Sequence, residues 1–469
     1  MEENEKSGLL EKAMPVVEPQ DLGTCYRAAR EHGGRVVRRL LPRNRAGSSS
    51  HLSMNRRLFL RALGIGTLGI AGGCSFSLED GIFNPCLTEP TPKRLLDNEV
   101  VTASWQGIDP AKLWDCHVHV AGVGDGNTGV WITPEMMSPL HPWQSLQRRF
   151  YLNASCTERE GKVDEDFVTR LLQCLDAFPS GAKVMLLAFD FHYDEEGERR
   201  EDLSAFYVPN RYAAALAQRY PDRLEWICSV HPYRSDAVEE LQWSARQGAR
   251  AVKWLPSAMG MDPASPKCDR FYQALVSLNL PLLTHGGEEK AVHGGALSEF
   301  NNPLRLRRPM DEGVRVIVAH CATLGENIDI DRGPNGPDAD GFMLFERLMN
   351  EPRYQGRLYG DISAVTQANR TESVLSTLIK RVEWHPRLIY GSDYPLPGVM
   401  PLFSLRRFVR QQFLTDTQAQ VLSEIRPYNP LLFDFVLKRS LVSDGQRFTP
   451  VVFESRRVFE VDYFKPKNL

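Results

Sequence analysis

A chain of 469 residues is too long for one small domain and suits a barrel-sized fold with insertions and flanking pieces. Its 42% hydrophobic and 25% charged residues are ordinary globular proportions. The formal net charge of −3 argues against a nucleic-acid binder, which carries a basic excess, and leaves a small molecule as the expected partner.

The first 53 residues hold Arg35, Arg38, Arg39, Arg43 and Arg45, then Gly47 and three serines, with no sustained helical or strand period. Such a stretch is expected to be disordered; either translation starts at Met54 or the stretch is a regulatory or targeting tail. Residues 54–75 read MNRRLFLRALGIGTLGIAGGCS. The apolar run 62–71 is about 15 Å long as a helix, about half of a bilayer core, which suits a signal-peptide core and not a span. Arg56 and Arg57 ahead of Phe59 and Leu60 resemble a twin-arginine export signal, and Ala71-Gly72-Gly73-Cys74 resembles a lipoprotein cleavage box. Ala71 departs from that box, where leucine is usual. Export to the periplasm or cell envelope follows, with a lipid anchor at Cys74; the alternative is a short buried helix. The nine cysteines lie far apart, without a C-x-x-C pair, which argues against a disulfide-stapled scaffold or a zinc finger. Most read as small buried hydrophobes.

Residues 76–111 form a linker and lead-in. From residue 112 short apolar runs alternate with amphipathic stretches. The strand candidates are 113–119, 183–189, 224–230, 249–254, 281–285, 315–320, 358–362 and 387–390. Helix candidates lie between them at 164–178, 211–219, 236–247, 269–278, 342–350 and 372–382. On the first of these Phe167, Leu171, Leu172 and Leu175 recur at helical spacing. Eight interleaved units predict an α/β fold, a (β/α)8 TIM barrel over 112–410, with no G-x-G-x-x-G after the first strand to favour an open nucleotide-binding sheet. Residues 121–163 and 321–341 are rim insertions that shape a pocket. Residues 411–469 are a C-terminal extension on the outside of the barrel, with a helix near 429–438 and a strand-like run at 450–453.

Polar residues cluster where the strands end, the face at which barrel active sites assemble. In Trp114-Asp115-Cys116-His117-Val118-His119 the period of two turns His117 and His119 inward together, with Cys116 and Val118 facing the helices. Two imidazoles so placed suit one divalent metal. His285 ends the fifth strand, His320 the sixth, and Asp393 follows the eighth in Gly391-Ser392-Asp393-Tyr394-Pro395.

This set resembles the amidohydrolase superfamily, in particular the amidohydrolase-related branch that includes the aminocarboxymuconate-semialdehyde decarboxylases. The resemblance implies that His117, His119, His285 and Asp393 hold one divalent metal, Zn²⁺ being the expected ion. It implies that Asp393 is the general base for a metal-activated water, and that His320 hydrogen-bonds the substrate carbonyl or its oxyanion. Lys253 stands where some members carry a carboxylated lysine bridging two metals. Here it contacts an anionic substrate or a carboxylate, with bridging of a second metal as the alternative. His231 lines the rim as a substrate contact or a structural group. His141, His192 and His293 read as loop hydrogen-bonders, and Asp361 as a supporting carboxylate or a helix cap. The function expected is hydrolysis of an amide, lactone or ester carbonyl in a small, anionic substrate. The alternatives are a nonoxidative decarboxylase or hydratase on the same site, and a catalytically silent envelope lipoprotein.

Overall fold

The computed structural model describes residues 80–289, 292 and 297–460. The leader, the export segment with Arg56, Arg57 and Cys74, and His293 lie outside the described residues.

All eight apolar runs form strands: β1 (Trp114–His119), β2 (Lys183–Leu187), β3 (Leu224–Ile227), β4 (Val252–Trp254), β5 (Leu282–His285), β6 (Val316–Ala319), β7 (Leu358–Asp361) and β8 (Leu388–Ile389). They pair in parallel, β1 with β2 and β2 with β3, then β4 through β8 in order. A Cys228–Val252 bridge joins β3 to β4. Past β8 the chain returns to β1 through Cys116 N–H to the Tyr390 carbonyl (3.1 Å) and His119 N–H to the Tyr394 carbonyl (2.9 Å). The circle is closed, and the fold is the TIM barrel.

Alternation along the strands sorts the core into two layers. Met185, Leu187, Ile227, Ala251, Leu283, Ile317, Ala319 and Ile389 fill the barrel, while Val118, Leu186, Val252, Trp254 and Val318 pack outward on the helices. Each such aliphatic side chain contributes about 1.5–3 kcal/mol on leaving water. Cys116 departs from its expected outward place: it is fully buried with the interior group. The pairing of β1 with β2 shifts register between Asp115 and Val118, so Cys116 and His117 both turn inward where strict alternation allows only one.

The lead-in is structured. Its helix Glu99–Ser104 leads to Trp105, which stacks on Phe435 at 4.2 Å. Phe435 belongs to the helix Pro430–Ser440, started by Pro430 in its first turn and by the Asn429 side chain, which accepts from Leu432 N–H at 2.9 Å. Nearly every residue of that helix is buried, because it is sandwiched between the lead-in and the barrel wall.

Three expectations need correction. Pro450–Phe453 is a single helical turn, not a strand, because Pro450 takes the first helical position, where its fixed φ suits a helix. The C-terminal extension does not stay outside: Val458 and Phe459 join Trp114 and Cys116 in the interior layer. Five cysteines are buried and free as anticipated, but Cys86 and Cys156 form a disulfide. It ties the lead-in to the first insertion, next to the helix Pro142–Ala154. That insertion also pairs through Trp131–Ile132 with Phe206–Tyr207, antiparallel, and the second insertion forms the hairpin Glu326–Ile328/Asp338–Asp340. Among the described residues no helix is long and apolar enough to cross a membrane.

Candidate active site

The shifted register of β1 delivers His117, and Asp361 at the end of β7 orients it. Asp361 Oδ2 lies 2.8 Å from His117 Nδ1. Its Oδ1 accepts from His320 N–H at 2.9 Å, from Ser363 N–H at 3.0 Å and from the Ser363 hydroxyl. A carboxylate so placed makes His117 Nδ1 the donor and leaves the Nε2 lone pair facing the barrel axis. The Ser363 hydroxyl, already donating to Asp361, accepts from His320 Nδ1 at 2.8 Å, which leaves His320 Nε2 free in the same way. The two rings stack with centroids 4.9 Å apart.

The backbone is bent to achieve this. His320, Cys321 and Ala322 have φ of 56°, 51° and 52°, and Asp393 has 63°. Left-handed backbone outside glycine costs about 1–2 kcal/mol per residue, and three in succession persist only where surrounding bonds over-determine them. Here His320 N–H and the Cys321 thiol both bond Asp361. Asp393 N–H is held by the His117 carbonyl at 2.8 Å, and Ser392 N–H by Asp115 Oδ1 at 2.8 Å. Gly391 is required by contact: a Cβ there would lie 2.8 Å from His117 Cβ.

One ligand atom each from His117, His320 and Asp393 lies within 4.8 Å of the others, and all three side chains are buried. His117 Nε2 and Asp393 Oδ1 are 3.6 Å apart. Ligands bound tetrahedrally at 2.0–2.1 Å stand about 3.4 Å from one another, so this donor set fits one divalent ion. The other two expected ligands flank the group. His119 Nε2 is 3.1 Å from Asp393 Oδ1, with its side chain 28% exposed at the rim. His285 packs edge-on against His320 at 5.2 Å; its Nε2 pairs with Glu289 at 2.9 Å, and its buried Nδ1 has no partner. Lys253 reaches in from β4, Nζ 3.4 Å from His117 Nε2.

Burial, then the Lys253 charge, lowers His117 to about 4, and burial lowers His320 well below its usual value, so both are neutral imidazoles at pH 7. Burial alone would raise Asp393 and Asp361. The imidazoles of His320 and His119 hold Asp393 well below the usual carboxylate range, and His117 does the same for Asp361. Burial lowers Lys253 against the pull of Asp361 and Asp393.

The structure does not bring His231 to this group. It is fully enclosed, its ring between Tyr193 and Tyr233, its N–H on Asp190. His192 bonds the Ala258 carbonyl, and His141 faces Glu135. Sequence reasoning passed over Ser363, Glu289 and Arg370. Glu289 stands four residues beyond His285 and Ser363 two beyond Asp361, spacings that become signals once the strand ends are known. Arg370, alone in a loop, gives no signal.

Residues 114–423 match the family model Amidohydro_2, amidohydrolase, and the chain belongs to that family. It is an enzyme of the amidohydrolase superfamily, whose members are metal-dependent. No curated protein matches it in sequence. Among solved structures it is similar to an uncharacterised TIM-barrel protein of Bordetella bronchiseptica, with 15% identity, 67% of this chain and 94% of that one covered, and a TM-score of 0.41. It is similar to a probable 2-pyrone-4,6-dicarboxylic acid hydrolase of Acinetobacter baumannii, with 17% identity, 68% and 100% covered, and a TM-score of 0.39. A third is 5-carboxyvanillate decarboxylase of Sphingomonas paucimobilis, with 12% identity, 74% and 98% covered, and a TM-score of 0.39.

Proposed function

We propose that the protein hydrolyses an amide, lactone or ester carbonyl in a small anionic substrate, with one zinc ion held by His117, His320 and Asp393 and flanked by His119 and His285. The observation that carries this reading is the convergence of two neutral imidazole lone pairs and one ionised carboxylate at ligand spacing. An imidazole and carboxylate set suits zinc, which when bound supplies Lewis acidity toward a substrate oxygen or a water.

The chain's own residues divide the remaining work. Asp393 takes the proton of the attacking water and returns it to the leaving group, and His119, 3.1 Å from its Oδ1, holds the carboxylate in place. Lys253, its Nζ beside His117 Nε2, donates to the oxygen on which charge develops. Asp361 and Ser363 fix both imidazoles in the tautomers this requires. Elemental analysis of the purified protein should give one zinc per chain, retained in Lys253→Ala. A screen of amides, lactones, esters and aromatic carboxylates should yield a hydrolysis product. Two metals per chain, both lost in Lys253→Ala, would establish the bridged centre instead, and release of CO2 alone would move the enzyme to the decarboxylases.

We also propose export through the segment around Arg56 and Arg57, with lipid attachment at Cys74. The Cys86–Cys156 disulfide supports this, since such bonds persist in oxidising compartments. Replacing both arginines with lysine should trap the protein in the cytoplasm, and Cys74→Ala should free it from membranes; unchanged fractionation of both would refute the reading.

A further inference from the structure

The large apolar side chains that the described residues leave in solvent are unevenly spread. Met137, Leu140 and Trp143, 56%, 85% and 47% exposed, crowd into seven residues of the first insertion. Val276, Ile328, Met343 and Val382 stand one each on separate elements. Single exposed apolar residues need no explanation; a contiguous knuckle does. Pro139 and Pro142 are exposed within it as well. The knuckle is a built turn. The Ser145 hydroxyl donates to the Ser138 carbonyl at 2.8 Å, Arg148 Nε donates to the Met136 carbonyl at 3.1 Å, and Leu140 N–H donates to the Ser138 hydroxyl at 3.2 Å. Polar groups thus hold the turn, and its apolar side chains are left to the outside.

What covers the knuckle follows from where the described chain begins. Phe83 stacks on Phe150 of the helix Pro142–Ala154 at 5.1 Å. Asn84 and Asn153 exchange hydrogen bonds at 2.8 and 3.1 Å, and the Cys86–Cys156 disulfide locks the two segments together. Six residues separate Cys74 from Asp80, a reach of about 20 Å at most. Trp143 stands seven residues up the helix from Phe150, a rise of about 10 Å. A lipid on Cys74 therefore keeps the knuckle on a short tether from the bilayer, where weak docking becomes an intramolecular step. The charges agree. Glu135 is the one acidic residue of 131–150 and accepts from Gln144 at 3.2 Å, while Arg148 and Arg149 follow on the helix. The exposed Arg149 lies over Phe83, 5.1 Å from the ring centroid. A basic excess beside tryptophan and leucine suits anionic phosphate headgroups over an acyl boundary.

We propose that the first insertion is a membrane-docking element, whose knuckle 137–143 seats in an anionic lipid surface and sets the catalytic rim against the bilayer. The inference rests on the reading that Cys74 carries a lipid. The same helix reaches the catalytic rim at its other end: Gly398, five residues beyond Asp393, packs on the Ala154 carbonyl with no room for a Cβ. Docking and catalysis thus share one rigid element.

Hydroxyl-radical footprinting read by mass spectrometry tests this on the full chain. The membrane-extracted protein is placed in vesicles of phosphatidylethanolamine and phosphatidylglycerol, and soluble Cys74→Ala without vesicles gives the baseline. Oxidation of Met137 and Trp143, each taken relative to Met343, should fall about five- to tenfold in the vesicles. Leu140→Glu in the anchored chain should restore oxidation of Met137 at an unchanged melting temperature, since that side chain is nearly all in solvent. Undiminished oxidation of Met137 in a chain whose Cys74 is lipidated overturns the docking and leaves the anchor standing. Met137 still protected by added vesicles in a chain without lipid on Cys74 refutes the anchor alone. Protection that needs no vesicles and grows with protein concentration assigns the knuckle to a second copy of this chain and overturns the proposal.

Discussion

At the N-terminal end of the barrel Glu225 accepts from Lys183 at 2.7 Å and from Arg250 at 2.8 Å, and Arg315 donates to the Val458 carbonyl at 2.7 Å. The Trp114 ring lies against the cations of Lys183, Arg250 and Arg456, all within 5.7 Å of its centroid. The other end of the barrel is built differently. There, Nε and Nη1 of Arg370 and Nδ1 of His285 are buried without a hydrogen-bond partner, and His320–Ala322 and Asp393 are held in left-handed backbone. The floor joins its charges to one another; the rim keeps strain and open polar groups of the kind found at functional sites.

Substitutions at the two ends should therefore give opposite phenotypes. The largest effect is expected at the rim: Asp393→Asn should lower turnover about 10²–10⁴-fold with the melting temperature nearly unchanged, whereas His117→Ala should lose the metal itself. At the floor, Phe459→Ala should cost about 3–5 kcal/mol in denaturant unfolding while each folded molecule keeps its metal and its turnover. Loss of metal from folded Phe459→Ala would break the contrast. A smaller effect follows from Asp361→Asn, which removes the orienting bond to His117: metal affinity, measured by competition with a chelator, should fall about 10–100-fold.

The smallest effect is expected from the helix Pro430–Ser440, which touches the rim through Lys438 Nζ, donating to the Gly391 carbonyl at 2.8 Å. Its Asp434 is raised by burial from 3.8 to about 6, against the pull of Lys438. Between pH about 4 and about 6 the folded protein keeps a proton that the unfolded chain has released, so folding stability falls as pH rises through this window. Asp434→Asn should flatten the slope of stability against pH there by up to one proton, as read from denaturant midpoints; an unchanged slope would assign the titration elsewhere.

The barrel was legible because each strand is a short apolar run and each helix repeats at three and four residues, patterns that a fully buried parallel sheet imposes. His117, His119, His285, His320 and Asp393 were visible as a group because each ends or follows a strand. What escaped notice depends on contacts between distant residues. The inward turn of Cys116 follows from a register shift against β2, which period-two reasoning cannot contain. Two neighbouring valines and a phenylalanine made 450–453 look like a strand, although Pro450 starts a helical turn. Cys86 and Cys156 stand 70 residues apart, a spacing with no signature. That His320 lies at ligand spacing with His117 and Asp393, and which of its nitrogens Ser363 occupies, depends on contacts between strand ends that no local pattern contains.

Val458 and Phe459 lie in the same interior layer as Trp114 and Cys116, so the innermost core is assembled from the first strand and nearly the last described residues. During synthesis the eight strands emerge first, and the barrel keeps an unsealed apolar floor until Val458 and Phe459 have followed them. A chain cut ahead of Val458 lacks that plug and shows its interior to proteases and to other nascent chains. The short turn Arg456–Phe459 thus makes closure of the barrel wait on residues far along the chain from the last strand.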